Sequence, residues 1–588
     1  MAASGERSGA EIIKENSRQL RGTIADELAK DSDHFGKADG ALLKFHGTYQ
    51  QDDREARKNR KPGEDKTVRA YMFMVRSKVP GGKLTARQFL AQLDLAERYG
   101  NGTLRITTRQ GLQLHGILKE NLWQTIHEIN TSLLTTLGAC GDVNRNVMCC
   151  PAPYHGDGVR DRLQQIADQL AAHLAPRTRA YHEVWIDGER VHDLPGQSET
   201  SIPGSQILGT AAEEPIYGAV YLPRKFKIAI APPGDNCVDI YANDLGLLAV
   251  VEGGKLIGFN VLVGGGMGTY PAKKETFPAV AKRLGFIGVD EAIDVTTAVV
   301  GVQRDFGRRD DRHQARLKYL IHSWGIDKFK AKVEEYYGHP IADPHPADVT
   351  AMDDHLGWHA QGDGKFYLGV NIENGRIQDK DGVNSKTALR AIFERFGPLG
   401  LNARLTPIQS ILLTDLDAAW RDEIERLLKA NGVPAHTELS NALRYSAACP
   451  AVPTCGLAIT EAERAMPGII DELEVELAKL GLAAERFSIH MTGCPNGCAR
   501  PYSSDIGIVG KSALKYSVFL GGNLLGTRLS FLYKDLVPAS DIVPTLLPVF
   551  AQFKSQREPG EGFGDFCTRT GKAALEQFAE HFQAEART

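Results

Sequence analysis

The segments TARQFLAQLDLAERYGNGTLRITTRQGLQLHGI (residues 85–117) and SKTALRAIFERFGPLGLNARLTPIQSILLTDL (residues 385–416) answer one another across the chain. Each has a helical pattern, a glycine-containing turn and a strand pattern with Arg-x-Thr and a glutamine. In the first copy Thr85 is placed to cap a helix, Phe89, Leu93 and Ala96 share one face, and Gly100 can end it. Two further echoes follow: GFNVLVGGG (258–266) with KYSVFLGGN (515–523), and ACGDVNRNVMCCPAP (139–153) with YSAACPAVPTC (445–455). Chance similarity is the competing explanation. A duplication whose halves pack about a pseudo-two-fold axis accounts for all three echoes together, and it places a shared site between the halves.

Outward from these segments, helical and strand patterns alternate. Ile469, Leu473, Leu477 and Leu480 repeat at helical spacing before Gly481. Strand patterns cover Tyr71 to Lys78, Leu104 to Leu118, Phe226 to Ala231, Ile257 to Val263 and Tyr516 to Leu520. The fold class is therefore α+β, a mixed α/β chain. At 588 residues it is long enough for about three or four domains.

A net charge of −4 argues against general nucleic-acid binding. The basic run 54–61 (REARKNRK) reads as a solvated arm, with a docking surface as the alternative. No apolar run is long enough to span a bilayer, and the first residues lack the pattern of a secretory signal. Nine cysteines, an odd number, do not read as a disulfide framework, so a reducing cytoplasmic setting is expected.

Four of the cysteines form two pairs: Cys449 and Cys455 in CPAVPTC, Cys494 and Cys498 in CPNGC. A cubane cluster takes one ligand per iron, usually a thiolate, and the count fits. Pro495 and Gly497 let CPNGC wrap tightly and aim backbone N–H groups at sulfur. A structural zinc site is the alternative, although both spacings are wider than C-x₂-C. Cys140, Cys149, Cys150, Cys237 and Cys567 have no ligand-like spacing and read as packing residues.

Cationic segments complete the pattern. Read with period two, GTLRITTRQGLQLHG puts Arg105, Thr107, Arg109, Gly111, Gln113 and His115 on one side, a face of cations and amides suited to binding carboxylates. LPRKFKIAIAPP (222–233) puts Lys225 and Lys227 on one face with Ala229 and Ala231, like a cationic pocket floor. Asn144, Arg145 and Asn146 form a compact polar triplet. Such an array favours an anionic substrate and can relay protons. NVLVGGGMGTYP resembles a dinucleotide-binding turn, but the G-x-G-x-x-G register fails at Thr269 and Pro271 follows at once.

The set VRSKVPGG, TTRQGLQLHG, NRN, LPRKFK, CPAVPTC, TGCPNGCARP and EGFGDF, with FHGTYQQDDR (45–54) and PRTRAY (176–181), closely resembles the haemoprotein (beta) subunit of assimilatory NADPH-dependent sulfite reductase, within the sirohaem sulfite and nitrite reductase superfamily. It covers nearly the whole chain. The resemblance implies that Cys449, Cys455, Cys494 and Cys498 hold a 4Fe–4S cluster and that Cys498 also bridges to a sirohaem iron. It places Arg76, Arg145, Lys225 and Lys227 around the substrate, and Arg105 and Arg109 at the sirohaem carboxylates. Gln113 and His115 belong to the same cofactor-binding strand, and Asn496 is expected to tune the cluster.

The implied activity is six-electron reduction of sulfite to sulfide, serving cysteine biosynthesis. NADPH, FAD and FMN would act only through a partner flavoprotein (alpha) subunit, with ferredoxin as the alternative donor. In sirohaem nitrite reductases, the nearest alternative, the position of Lys227 tends to carry a neutral residue; a non-catalytic iron–sulfur carrier or sensor is the alternative of another class. The implied domains are an N-terminal arm (1–68), a discontinuous pseudo-symmetric ferredoxin-like domain (69–138 plus 357–434), an α/β domain with the pocket cations (139–356) and an α/β domain with the cluster cysteines (435–588). A long loop is expected at 188–214.

Overall fold

The helix Ala86–Arg98 begins with a capping box: Thr85 Oγ1 accepts from Gln88 N (3.2 Å) and Gln88 Oε1 from Thr85 N (3.0 Å). Its apolar face buries Phe89, Leu93 and Ala96. The counterpart helix Ser385–Phe396 lies against it, with the Phe89 and Phe393 rings 4.3 Å apart between centroids. The duplicated segments are thus each other's packing partners. The computed structural model describes residues 7–59, 69–186 and 214–585. Except for Glu214, the loop expected at 188–214 lies outside the described residues.

Among the described residues, four five-stranded sheets carry the fold, in two matched pairs. In one pair, Tyr71–Ser77, Leu112–Ile117 and Leu104–Ile106 are successive antiparallel neighbours, as are Phe366–Val370, Ile411–Leu416 and Asn402–Leu405. Each of these sheets takes an edge strand from the other half. Arg376–Ile377 pairs with Leu104–Ile106, and Lys83–Thr85 pairs with Asn402–Leu405.

In the second pair of sheets, Met148–Cys149, Ile228–Ala231 and Leu245–Glu252 run parallel, followed by antiparallel Lys255–Val263 and Lys282–Gly288. Ser446–Ala448, Ile489–Thr492, Ile506–Ser512, Lys515–Leu520 and Phe531–Pro538 repeat that order and those directions.

Two expectations need correction. The stretch from Leu104 to Leu118 is a hairpin, not one strand: Leu104 faces Leu114 and Arg105 faces Gln113. Gln110, at φ 54°, turns the chain, so Arg109 sits at the tip and not on a common face with Arg105. The basic run is also not simply solvated. Arg54–Lys58 is a short helix, and Arg54 Nη1 donates to the carbonyls of Cys455 (3.2 Å) and Ala458 (2.9 Å). Earlier residues join the main core through Leu20, Ile24, Phe35 and Leu42, and Thr48–Asp52 adds to the first sheet. Among the described residues no helix is long and apolar enough to cross a membrane.

Because Phe393 fills the seam between the duplicated helices, Phe393→Ala is expected to cost about 3–5 kcal/mol in chemical denaturation. A loss below about 1 kcal/mol would show that the seam does not couple the halves.

Candidate cofactor and substrate site

The four expected cluster cysteines converge from two loops at the ends of parallel strands. Cys449 follows Ser446–Ala448, and Cys494 follows Ile489–Thr492. The backbone N–H of Gly493 donates to Cys449 Sγ (3.3 Å), and the Asn496 amide to Cys494 Sγ (3.5 Å). Burial pushes the Cys494 thiol up to about 12, and the neighbouring Cys498 adds to the shift. Cys449 is raised in the same way, by burial and then by Cys498. Cys455 is raised as well, by burial and then by Cys498, and sulfurs crowded in this way become thiolates together around a bound cation, so this donor set suits an iron–sulfur cluster.

The loop 264–269 buttresses the second cysteine pair. A Cβ on Gly268 would lie 3.2 Å from the Asn496 carbonyl, and Thr269 N donates to Pro495 O (3.0 Å). Lys318 Nζ holds this loop through the carbonyls of Gly266 (2.9 Å) and Gly268 (2.7 Å). No helix follows Val263 here, so the glycines serve close packing and not a dinucleotide phosphate.

Cys498 is the exposed member of the four and opens onto a cavity lined by Arg109, Lys225, Lys227, Arg316, Asn496 and Arg500. Burial lowers Lys225 to about 7, with Arg224 and Arg316 adding to it; Lys227 is also lowered, by burial and then by Lys225 and Arg109. Cations crowded in this way favour an anion between them. Burial opposes the charge on Arg76, but Cys140, Tyr49, Cys498 and Cys455 outweigh it and raise its pKa. Arg76 Nη1 donates to Cys140 Sγ (2.9 Å), while Arg145 Nε is held by the Gly141 carbonyl (2.9 Å). Arg76, Lys225 and Lys227 all fall within the field of Cys498, and Arg145 within that of Lys225.

Several buried polar atoms on this side have no hydrogen-bond partner among the described residues. They are Arg76 Nε, Arg109 Nε and both ring nitrogens of His115. His115 is kept neutral by burial and by the nearby Arg376, Arg105 and Arg76. Orphaned polar atoms of this kind fit a large polar cofactor. Arg109 is fixed at its other end, donating to Asn243 Oδ1 (2.8 Å), Asn146 O (2.6 Å) and Ile228 O (3.1 Å).

Arg105 is engaged by the protein itself. Its Nε donates to Glu463 Oε2 (2.8 Å), its Nη2 to the Ala448 carbonyl (2.8 Å) and its Nη1 to Gln113 Oε1 (3.5 Å). Arg376 completes a bidentate pair with the same carboxylate, at 2.7 and 3.0 Å. This buried Arg–Glu–Arg network braces the chain beside Cys449 and leaves Arg105 already paired. Gln113 points back to it and to Met74 Sδ (3.4 Å). Sequence reasoning missed Arg316 and Arg500. Arg500 was visible within TGCPNGCARP; Arg316 carries no local signal, because its partner Asp244, at 2.7 and 2.8 Å, is distant in sequence.

With this geometry in place, two family models match: a nitrite and sulphite reductase 4Fe–4S domain over residues 166–341, and a nitrite/sulfite reductase ferredoxin-like half domain over residues 66–130 and 359–431. The chain belongs to the nitrite and sulfite reductase family. It is 44% identical to a protein named sulfite reductase (ferredoxin) from Synechococcus elongatus, covering 100% of this chain and 93% of that one. It is 43% identical to a sulfite reductase (NADPH) hemoprotein beta-component from Staphylococcus saprophyticus, covering 95% of each. Among solved structures it resembles the Mycobacterium tuberculosis NirA protein, with a TM-score of 0.77 and 26% identity over 97% of this chain and 98% of that one.

Removing the shared carboxylate with Glu463→Ala leaves two buried guanidiniums unpaired, a loss of about 3–5 kcal/mol. The variant is expected to purify with reduced cluster iron and inorganic sulfide. Full cluster content at wild-type stability would show that the network does not brace the Cys449 loop.

Proposed function

We propose that this chain is the haem-bearing subunit of a sulfite reductase and converts sulfite to sulfide with six electrons delivered by a separate protein. The observation that carries this reading is the basic cavity opening on Cys498. The residues fit both a 4Fe–4S cluster, on Cys449, Cys455, Cys494 and Cys498, and a sirohaem, on Cys498 with Arg109 and the orphaned nitrogens of His115 beside it. When bound, this pair would supply one-electron transfer and multi-electron reducing chemistry to an anion held among the cavity's cations.

The protein's own part is electrostatic. Lys225 and Lys227 hold the sulfite oxygens, with Arg76 and Arg145 adding positive charge from the side of Tyr49 and Cys140. Their ammonium and guanidinium protons polarise each departing oxygen, which leaves as water, and the buried setting strengthens every such contact. Burial lowers the pKa of both Lys225 and Lys227, which suits the pair to proton delivery. Asn496 tunes the cluster through its contact with Cys494.

Relatives named for an NADPH-linked hemoprotein and for ferredoxin match almost equally. We assign the donor as a flavoprotein subunit; faster turnover with reduced ferredoxin than with NADPH and flavoprotein would reverse that assignment. The setting is proposed to be the cytoplasm.

The test is sulfide release by the purified holoenzyme with an artificial low-potential donor. Lys227→Ala is expected to lower kcat for sulfite by about 10²–10³ while iron and sirohaem content stay at wild-type level. Loss of sirohaem from the variant would contradict the role of Lys227. A kcat/KM for nitrite above that for sulfite in the wild type would replace sulfite as the substrate.

A further inference from the structure

The duplication carries a consequence away from the cavity. In the second half, Ala448 lies opposite Met491 and His490 opposite Gly507. In the first half, Cys149 lies opposite Ile230 and Ala229 opposite Gly246. With the sheets matched in this register, Cys150 follows its strand where Cys449 follows the other, and Cys237 stands as far before Asp244 as Cys498 stands before Asp505. Two cysteines of the first half therefore occupy the places of two cluster ligands of the second.

These two cysteines are not isolated. Cys150 Sγ, Cys237 Sγ, a carboxylate oxygen of Asp235 and a ring nitrogen of His355 all lie within 4.8 Å of one another. Cys150 Sγ is 2.8 Å from Asp235 Oδ2 and 4.0 Å from His355 Nε2; His355 Nε2 is 3.0 Å from Asp235 Oδ2. All four residues are at most 2% exposed. Asp235 Oδ1 accepts the backbone N–H groups of Cys237 (3.1 Å) and Asp353 (3.2 Å), which aims Oδ2 at the other three donors. His355 is held in the left-handed region, at φ 60°, while its N–H donates to Asp353 Oδ1 (2.9 Å). A histidine in that conformation is uncommon and persists where the surroundings fix it.

We propose that Cys150, Asp235, Cys237 and His355 form a second, structural metal site for one tetrahedral divalent cation of the zinc class. Two sulfurs, one nitrogen and one oxygen are a borderline-soft set that suits zinc, and a fully buried set of four leaves no open position for catalysis. The edges of such a tetrahedron are about 3.3–3.8 Å for metal–ligand bonds of about 2.0–2.3 Å, so the four donors need only small adjustments. Binding displaces the protons of both thiols and leaves His355 neutral. Two thiolates, one carboxylate and the cation then sum to one negative charge, and the nearby Arg160 guanidinium, whose charge is favoured by Cys150 and Asp235, offsets it. The metal would pin the segment entering the second half, through His355, to the first α/β sheet. Cys150 and Cys237, which also border an apolar cluster, are thus assigned as ligands where their spacing suggested packing alone; Cys149 and Cys567 lie in apolar clusters.

The test is elemental analysis of the wild-type holoenzyme after dialysis against a chelator, paired with diffraction on both sides of the zinc edge. About one zinc per chain is expected, with an anomalous peak between the four side chains. Cys237→Ser and His355→Ala are expected to lose that zinc while keeping cluster iron and the haem spectrum. Absence of zinc from the wild type, a peak elsewhere, zinc content unchanged in both variants, or a Cys150–Cys237 disulfide in the unreduced protein would each overturn the site. The wild-type map decides the question even if neither variant folds.

Discussion

Each half of this protein finishes a sheet with a strand taken from the other half, and everything at the site depends on that exchange. Arg376–Ile377 closes the edge at Leu104–Ile106, and Lys83–Thr85 closes the edge at Asn402–Leu405. Neither half can withdraw without exposing ladder hydrogen bonds that are otherwise buried. Two glutamines in left-handed turns lock the seam to the loops beyond it. Gln110 accepts from Cys149 N (3.0 Å) and donates to Leu405 O (2.9 Å); Gln409 accepts from Ala448 N (3.1 Å) and donates to Asn374 O (2.9 Å). The residues that follow, Cys150 and Cys449, are positioned by the same device applied twice.

The halves have diverged in charge while keeping that frame. Around Cys498 the protein gathers cations in excess of its own anions, and burial lowers the pKa of both lysines. Such an arrangement is costly in an empty cavity and is relieved when anions enter it, whether cofactor carboxylates or substrate. Around Cys237 the chain supplies its own carboxylate and histidine instead, and the set closes on itself. One frame thus holds an open redox site and a closed structural one. The Asp239–Arg500 ion pair joins the two loops directly.

Much of this was legible in the sequence because duplication repeats spacing. The helix–turn–strand echo of residues 85–117 and 385–416 identified elements that pack on each other, and the CPAVPTC and CPNGC pairs carry their ligands within short loops. The errors have a common physical cause. Period-two reading runs through residues 104 to 118 without detecting the turn at Gln110, so it puts Arg105 and Arg109 on one face where the hairpin separates them. Cys150 and Cys237 read as packing residues because the four donors come from three separated segments, and only the fold brings them together. Arg316 was hidden for the same reason, its partner being Asp244.

The central claim is that the thiolates around Cys498 and the basic cavity before it form one redox unit acting on sulfite. It is tested most directly by the visible spectrum of the anaerobically purified protein, recorded before and after sulfite is added to the reduced form. An isobacteriochlorin-type haem spectrum that shifts on sulfite addition is expected. A broad iron–sulfur absorption alone, in a fully loaded protein and unchanged by sulfite, would contradict it and leave an electron carrier.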